Sequence, residues 1–307
     1  MIVFGSAVTQ PNAYQRWAQP GIERARERDS VVYPNSSFGS IFRAYNLLLL
    51  QAASHQDLEA LVLLHQDVEI VDPDFCSKVR DALRDPLVGV VGCVGALDAR
   101  SLAWWEGSVT WASFTHRYYE HGGGELPAFA MHPDRFAPPP YARTGEVDTV
   151  DGLLMVLSPW AVRNLRFDES LGRFHGYDFD FCLQVRAAGR RVVTADLKIV
   201  HHHSLELLDD PEVWVEAYVR VIEKWEERFP VVGALLGESA CDWKARARRA
   251  EGRAAAAHML RVSAQMKATA RELELERGLE AIRGSKSWWL TAPLRRGGAR
   301  LRRLRRG

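Results

Sequence analysis

The feature that most constrains this chain is the alternation of short apolar runs with helix-like stretches near its start. Ile2-Val3-Phe4, Ser30-Val31-Val32-Tyr33 and Ala60-Leu61-Val62-Leu63-Leu64 read as buried strands, and Ala13 to Arg28 and Ser40 to Ser54 between them read as helices. The order strand, helix, strand, helix, strand predicts an open α/β sheet, mostly parallel and flanked by helices. Such sheets bind ligands at the carboxyl ends of their strands, so the polar residues just beyond each run are the first candidates for chemistry.

Further elements follow the same grammar. Pro73-Asp74 starts a helix over Phe75 to Leu83, and Val88 to Val94 is the next strand. Val150 to Leu157 is strand-like, Ser158-Pro159 opens a helix, and Asp178 to Ala188 is a helix ended by Gly189. Arg191 to Thr194 and Lys198 to Val200 are short strands, and Pro211 to Arg228 is a helix with Trp214, Tyr218, Ile222 and Trp225 on one face. Residues 98–148 differ: rich in Trp, Tyr, His, Gly and Pro, they read as a long irregular segment over the site.

The formal net charge of +1 conceals an asymmetry, because residues 242–307 hold 18 Lys/Arg against 6 Asp/Glu. From about Asp242 to Arg283 the chain is Ala-rich without proline, which predicts a long helix. Two units follow: a catalytic domain over 1–235 and a basic helical arm and tail over 236–307. The arm's imperfect heptads leave dimerisation through it open. Cys76, Cys93, Cys182 and Cys241 are scattered and show no CxxC pair, as expected of reduced cytosolic thiols. No basic n-region or cleavage site marks a signal peptide, and no apolar run reaches bilayer length. The expected location is the cytoplasm, at most peripheral to the inner face of the cytoplasmic membrane.

Three constellations carry candidate chemistry. In the first, the strand Leu61 to Leu64 runs into His65-Gln66-Asp67-Val68-Glu69. A carboxylate at a strand end suits Mg²⁺ or Mn²⁺ that neutralises a leaving diphosphate, with Asp67 as first choice; a plain polar loop is the competing reading. In the second, Asp178 and Asp180 open a helix after Gly176, with Asp178 placed to act as general base and Asp180 to cap the helix or bind backbone amides. Acidic residues also favour a helix N-terminus through its dipole alone. In the third, His201-His202-His203 follows a short strand. In extended chain His201 and His203 share a side and either can complete a metal site, while His202 points away.

These elements together resemble the family 2 glycosyltransferases, in particular the glycosyltransferase-like domain of streptomycin-biosynthesis-type proteins. Ala44-Tyr45-Asn46 matches the family's Ala-x-Asn, His65-Gln66-Asp67-Val68 stands at its D-x-D, Val150-Asp151-Gly152 opens the acceptor-side strand, and Gly176-Tyr177-Asp178-Phe179-Asp180 stands for G-x-D-x-D/E-D. The resemblance covers roughly residues 1–205. It implies a GT-A fold, Rossmann-like with a C-terminal helical extension, and inverting transfer from a nucleotide sugar to a glycan or lipid-linked glycan. It further implies a donor site at Asn46, His65, Gln66 and Asp67, a divalent metal on Asp67 with His201 or His203, and Asp178 as base. The acceptor side is expected at Asp151, Gly152, His175, Tyr177 and Asp180. Two departures stand out: His65 replaces the first Asp of D-x-D, and Tyr177 replaces the usual Glu.

Trp104, Trp105, Trp111, Tyr118 and Tyr119 can stack on a sugar ring or fill core. At the other end, Gly284 to Leu294 resembles a Ser-x-Ser-Trp-x-Leu-Thr-x-Pro-Leu segment of bacterial surface-polysaccharide glycosyltransferases. The arginines after it suit an anionic membrane surface or a partner protein; no nucleic-acid-binding motif accompanies them. A nucleotidyltransferase is the alternative enzyme, though Gly5-Ser6-Ala7-Val8 makes a poor phosphate loop, and an inactive scaffold acting through the arm is the alternative outside enzymes.

Overall fold

The computed structural model describes residues 1–36, 39–97, 99, 109–112, 114–117, 125–127, 131–132, 135–136, 144–202, 210–226 and 240–291. In its first part the strands are β1 (Ile2–Val8), β2 (Val31–Ser36), β3 (Ala60–Leu64), β4 (Val68–Ile70), β5 (Val88–Gly92) and β6 (Val94–Leu97). Short strands β7 (Val109–Ala112), β8 (Phe114–Arg117), β9 (Glu125–Pro127), β10 (Met131–His132) and β11 (Arg135–Phe136) follow. The remainder are β12 (Glu146–Val147), β13 (Thr149–Val150), β14 (Leu154–Leu157), β15 (Arg191–Thr194) and β16 (Ile199–His202).

The central sheet has the order β12-β15-β5-β14-β3-β1-β2. Strands β1, β2, β3, β5 and β15 run one way, and β14 and β12 oppose them. β3 and β5 are buried along their whole length, which explains why they read as unbroken apolar runs. Alternate residues serve opposite faces. Val3, Leu61, Leu63, Val90 and Met155 meet helices α3 (Ile41–Ala53), α5 (Pro159–Asn164), α6 (Tyr177–Ala187) and α7 (Pro211–Lys224). Ile2, Phe4, Val62, Leu64 and Val91 meet the helical stretch made of α1 (Pro11–Ala13), a π-helical turn Tyr14–Ala18 and α2 (Gln19–Ala25), together with α4 (Phe75–Ala82).

The caps are where the sequence places them. Ser40 accepts from the Arg43 amide at the start of α3, and Ser158 accepts from the Ala161 amide at the start of α5. Two runs expected to be single strands are each broken. Val88 to Val94 divides at Cys93, after which β6 joins the small sheet β13-β6-β7. Val150 to Leu157 divides at Asp151–Leu153, where the Asp151 carboxylate accepts from the Leu153 amide and turns the chain. The described parts of 98–148 are also more regular than expected, because β8 and β9 extend a second sheet, β4-β16-β8-β9. Val68-Glu69-Ile70 is therefore a strand rather than a loop, and β16 reaches His202, two residues beyond its expected end.

The arm begins as α8 (Ala240–Gly284), followed by α9 (Lys286–Leu290). α8 lies against α7: Arg249 and Arg253 pair with Glu216 and Glu212, and Ala255 and Ala256 join the core that contains Trp214, Val215 and Tyr218. Helix α8 is 45 residues long, about 67 Å at 1.5 Å per residue.

Candidate active site

The site gathers at the carboxyl end of β3. His65 and Asp67 sit in the tight turn that joins β3 to β4, closed by the Val68 amide donating to the His65 carbonyl at 3.2 Å. β16 pairs antiparallel with β4, with His201 opposite Val68, and this register brings His201 to the same place. Ligand atoms of His65, Asp67 and His201 lie within 4.8 Å of one another, and His201 Nε2 is 3.5 Å from an Asp67 carboxylate oxygen. Two imidazoles and a carboxylate at this separation form a donor set suited to a borderline divalent ion.

The electrostatics of the three are unequal. Burial holds His65 below the ordinary histidine value, hence neutral, which is the form that ligates a metal. Burial also presses on His201, but the adjacent Asp67 carboxylate outweighs it and holds His201 above the ordinary value. The Tyr177 hydroxyl, 2.7 Å from His65 Nε2, fixes the His65 ring from behind. Tyr177 in turn occupies the space over Gly152. A Cβ built on Gly152 would lie 2.1 Å from the Tyr177 hydroxyl oxygen, so only glycine fits there.

Asp178 completes the arrangement. It lies in the first turn of α6, which Gly176 opens in the left-handed region at φ +80°. Its two carboxylate oxygens accept from the Gly152 and Phe179 amides, each at 2.9 Å. Desolvation, with Asp151 as the next cause, raises its pKa to about 7. A carboxylate poised near neutrality can take a proton from a substrate hydroxyl.

Other predicted residues take different parts. Asp180, expected on the acceptor side, lies in the packing between α6 and α7. It is fully buried and accepts from Trp225 Nε1, Gln184 Nε2 and Lys224 Nζ, tying α6 to α7. Tyr177, also expected on the acceptor side, is buried with its hydroxyl on His65. Asn46 clamps the Phe167 backbone through both its amide atoms and also donates to Glu169. Gln66, expected at the donor site, accepts from the Thr9 and Gln10 amides and donates to Thr9 Oγ1, and so latches the chain just after β1. Gly152 contributes its amide to Asp178, Asp151 sits beside it at the turn, and His175 is half-buried immediately before Gly176. His203, Trp104 and Trp105 lie outside the described residues.

The sequence points to a metal on Asp67 with His201 or His203 and leaves open His65, which stands at the first position of the D-x-D; the structure brings the His65 ring into the same cluster. The packing behind the site was not legible in the sequence. His202 stacks on Trp17 with ring centroids 3.5 Å apart and meets Glu69 at 2.9 Å, turned away from His201.

The seven-stranded mixed sheet of this order, flanked by helices and with an imidazole–carboxylate cluster at its carboxyl edge, is a GT-A fold. Residues 35–223 match the model of the glycosyltransferase-like family, and the chain belongs to that family. It is 34% identical over 211 residues to the streptomycin biosynthesis protein StrF of Streptomyces griseus, covering 66% of this chain and 67% of StrF. It is 30% identical over 164 residues to the O-antigen biosynthesis protein RfbC of Myxococcus xanthus, covering 50% of this chain but 12% of that much longer protein. Among solved structures, GalNAc-T7 with UDP, GalNAc and Mn²⁺ shares the fold with a TM-score of 0.50 at 12% identity, over 74% of this chain and 48% of that one.

Proposed function

We propose that this glycosyltransferase moves a sugar from a nucleotide-diphosphate donor to a hydroxyl of a glycan acceptor, with inversion, using a divalent metal bound by His65, Asp67 and His201. The observation that carries the reading is the convergence of those three donor groups. They are linked through Tyr177 and Gly152 to the raised carboxyl of Asp178. Two nitrogen donors favour Mn²⁺ over the harder Mg²⁺. A metal held there supplies charge neutralisation for the departing diphosphate.

In the transfer itself the acceptor oxygen forms a bond to the anomeric carbon as the bond from that carbon to the diphosphate oxygen breaks. The bonding electron pair leaves with the nucleoside diphosphate, and the hydroxyl proton passes to Asp178. This single displacement inverts the anomeric centre, in keeping with the resemblance to family 2 enzymes. The GalNAc-T7 structure contains UDP, GalNAc and Mn²⁺ on the shared fold, which supports a nucleotide-sugar donor, and RfbC is named for O-antigen biosynthesis, which supports a glycan acceptor.

Calorimetry with UDP, GDP, dTDP and CMP, with and without Mn²⁺, tests this on the wild type and on Asp67→Ala. One nucleotide is expected to bind only with metal, and Asp67→Ala to abolish that binding. Absence of binding under every condition would leave the inactive scaffold as the better account.

A further inference from the structure

The described residues end in a short helix in which Trp289 and Leu290 face solvent and Trp288 is partly covered. In α9, Trp288, Trp289 and Leu290 are 37%, 75% and 81% exposed. At about 100° per residue, three consecutive positions sweep roughly 200° of a helix surface. That is wider than the stripe a neighbouring helix covers, which needs apolar residues three and four apart. A helix tip of this kind is matched by a deformable apolar medium, and indole rings in particular settle where hydrocarbon meets headgroups.

Charge identifies which medium. Residues 285–307 hold one Lys and seven Arg with no Asp or Glu, and Leu301 and Leu304 are set among the arginines. The end of α8 immediately before is different, since residues 271–283 mix three Arg with four Glu. The exposed Trp residues therefore lie within the longest stretch of the arm that has no acidic residue. Indoles beside a purely cationic stretch are complementary to a surface that is apolar within and anionic outside.

We infer that residues 285–307 are a peripheral anchor for an anionic membrane surface, with Trp288, Trp289 and Leu290 entering the interface and the arginines pairing with lipid phosphates. Because α8 is seated on α7 at Arg249 and Arg253, the helix that carries the anchor is joined at its other end to the catalytic core. The anchor is independent of the catalytic reading above, and it would serve an acceptor carried on lipid.

Flotation of the full chain with vesicles tests it, comparing phosphatidylcholine alone with phosphatidylcholine mixed with phosphatidylglycerol. The chain is expected to float with the anionic vesicles at about 0.15 M salt and at least tenfold less with the neutral ones. Trp289→Ser combined with Leu290→Ser should reduce flotation at least tenfold while leaving thermal unfolding unchanged, since both side chains are solvent-facing. Replacing Arg295, Arg296, Arg300 and Arg302 with Gln should flatten the salt dependence. Three results would overturn the inference: equal or absent flotation on the two vesicle types, binding to an oligonucleotide that outcompetes anionic vesicles and ignores the Trp289→Ser change, or self-association without lipid that this change abolishes.

Discussion

Asp178 owes its chemistry to its surroundings more than to its identity. Burial is the first cause that lifts its carboxyl to about 7, and the neighbouring Asp151 charge is the second. Only the ionised form can accept a proton, so kcat/KM is expected to rise with pH to a plateau above about 7. The folded state holds this proton more tightly than the unfolded chain, whose value is near 3.8, so the contribution to stability is complete below that value and is lost as pH rises towards 7. Asp151→Asn removes the second cause and leaves the first. The acid limb of the pH–rate profile should therefore move to lower pH without reaching the ordinary carboxylate range, whatever happens to the maximal rate. A limb that does not move would remove Asp178 from the role of base. The sequence made Asp67, Asp178 and His201 legible as candidates because strand ends and helix starts are marked by simple polar residues after apolar ones. It set Asp178 apart as base from Asp180 as helix cap, but carried no sign of the partners that Asp180 finds on α7. Both stand in the first turn of one helix, and the long-range contacts with Lys224 and Trp225 put Asp180 in the frame between α6 and α7.

At the level of elements, the strands and helices of the central sheet were legible because buried runs and caps are local signals. The breaks at Cys93 and at Asp151–Leu153 were not, since they are made by partners distant in sequence: β6 leaves the sheet to pair with β7 and β13, and Tyr177 occupies the space that only Gly152 can leave open. The placing of His201 is likewise a property of two elements. β16 is zipped to β4, and His202, on the opposite side of the strand, is held between the face of Trp17 and the carboxylate of Glu69. Glu69 also meets Arg24 and Arg117, so the rear of the strand is fixed from three directions. This clasp holds His201 in place from the opposite side of the strand. Trp17→Ala should weaken Mn²⁺ affinity by roughly tenfold, within the range for loss of outer supports in metal sites. Trp17→Phe, which keeps an aromatic face for the stack, should restore most of it. Titrating Mn²⁺ against intrinsic fluorescence or heat distinguishes this from general destabilisation: a fall in thermal stability with unchanged metal affinity would sink the positioning role.

Over the whole molecule, the boundary expected near residue 235 separates compositions, while the packing joins them. The face of α7 that carries Trp214, Val215 and Tyr218 packs in one cluster with Ala255 and Ala256 of α8. At the same joint Arg248 is only 3% exposed, with its guanidinium 3.8 and 3.7 Å from Glu223 and Glu226. The first half of α8 thus covers a core surface, whereas Leu275, Leu279 and Ile282 in its second half are about half exposed. The sequence carried no sign of this division, because an Ala-rich, charge-laced helix reads alike whether one face is seated or free. Two truncations therefore should behave differently. A chain ending after residue 265 keeps Arg248, Arg249, Arg253, Ala255 and Ala256, and is expected to unfold within a few degrees of the full protein. A chain ending at residue 235 uncovers the α7 face. At about 25 cal/mol per Å² of apolar surface, exposing even 100–200 Å² costs about 2.5–5 kcal/mol, a large share of the net stability of an ordinary domain. It should aggregate or melt well below the longer form. Calorimetric melting of the pair decides the matter: equal transitions would mean that α8 is an appendage after all, and that the core closes without it.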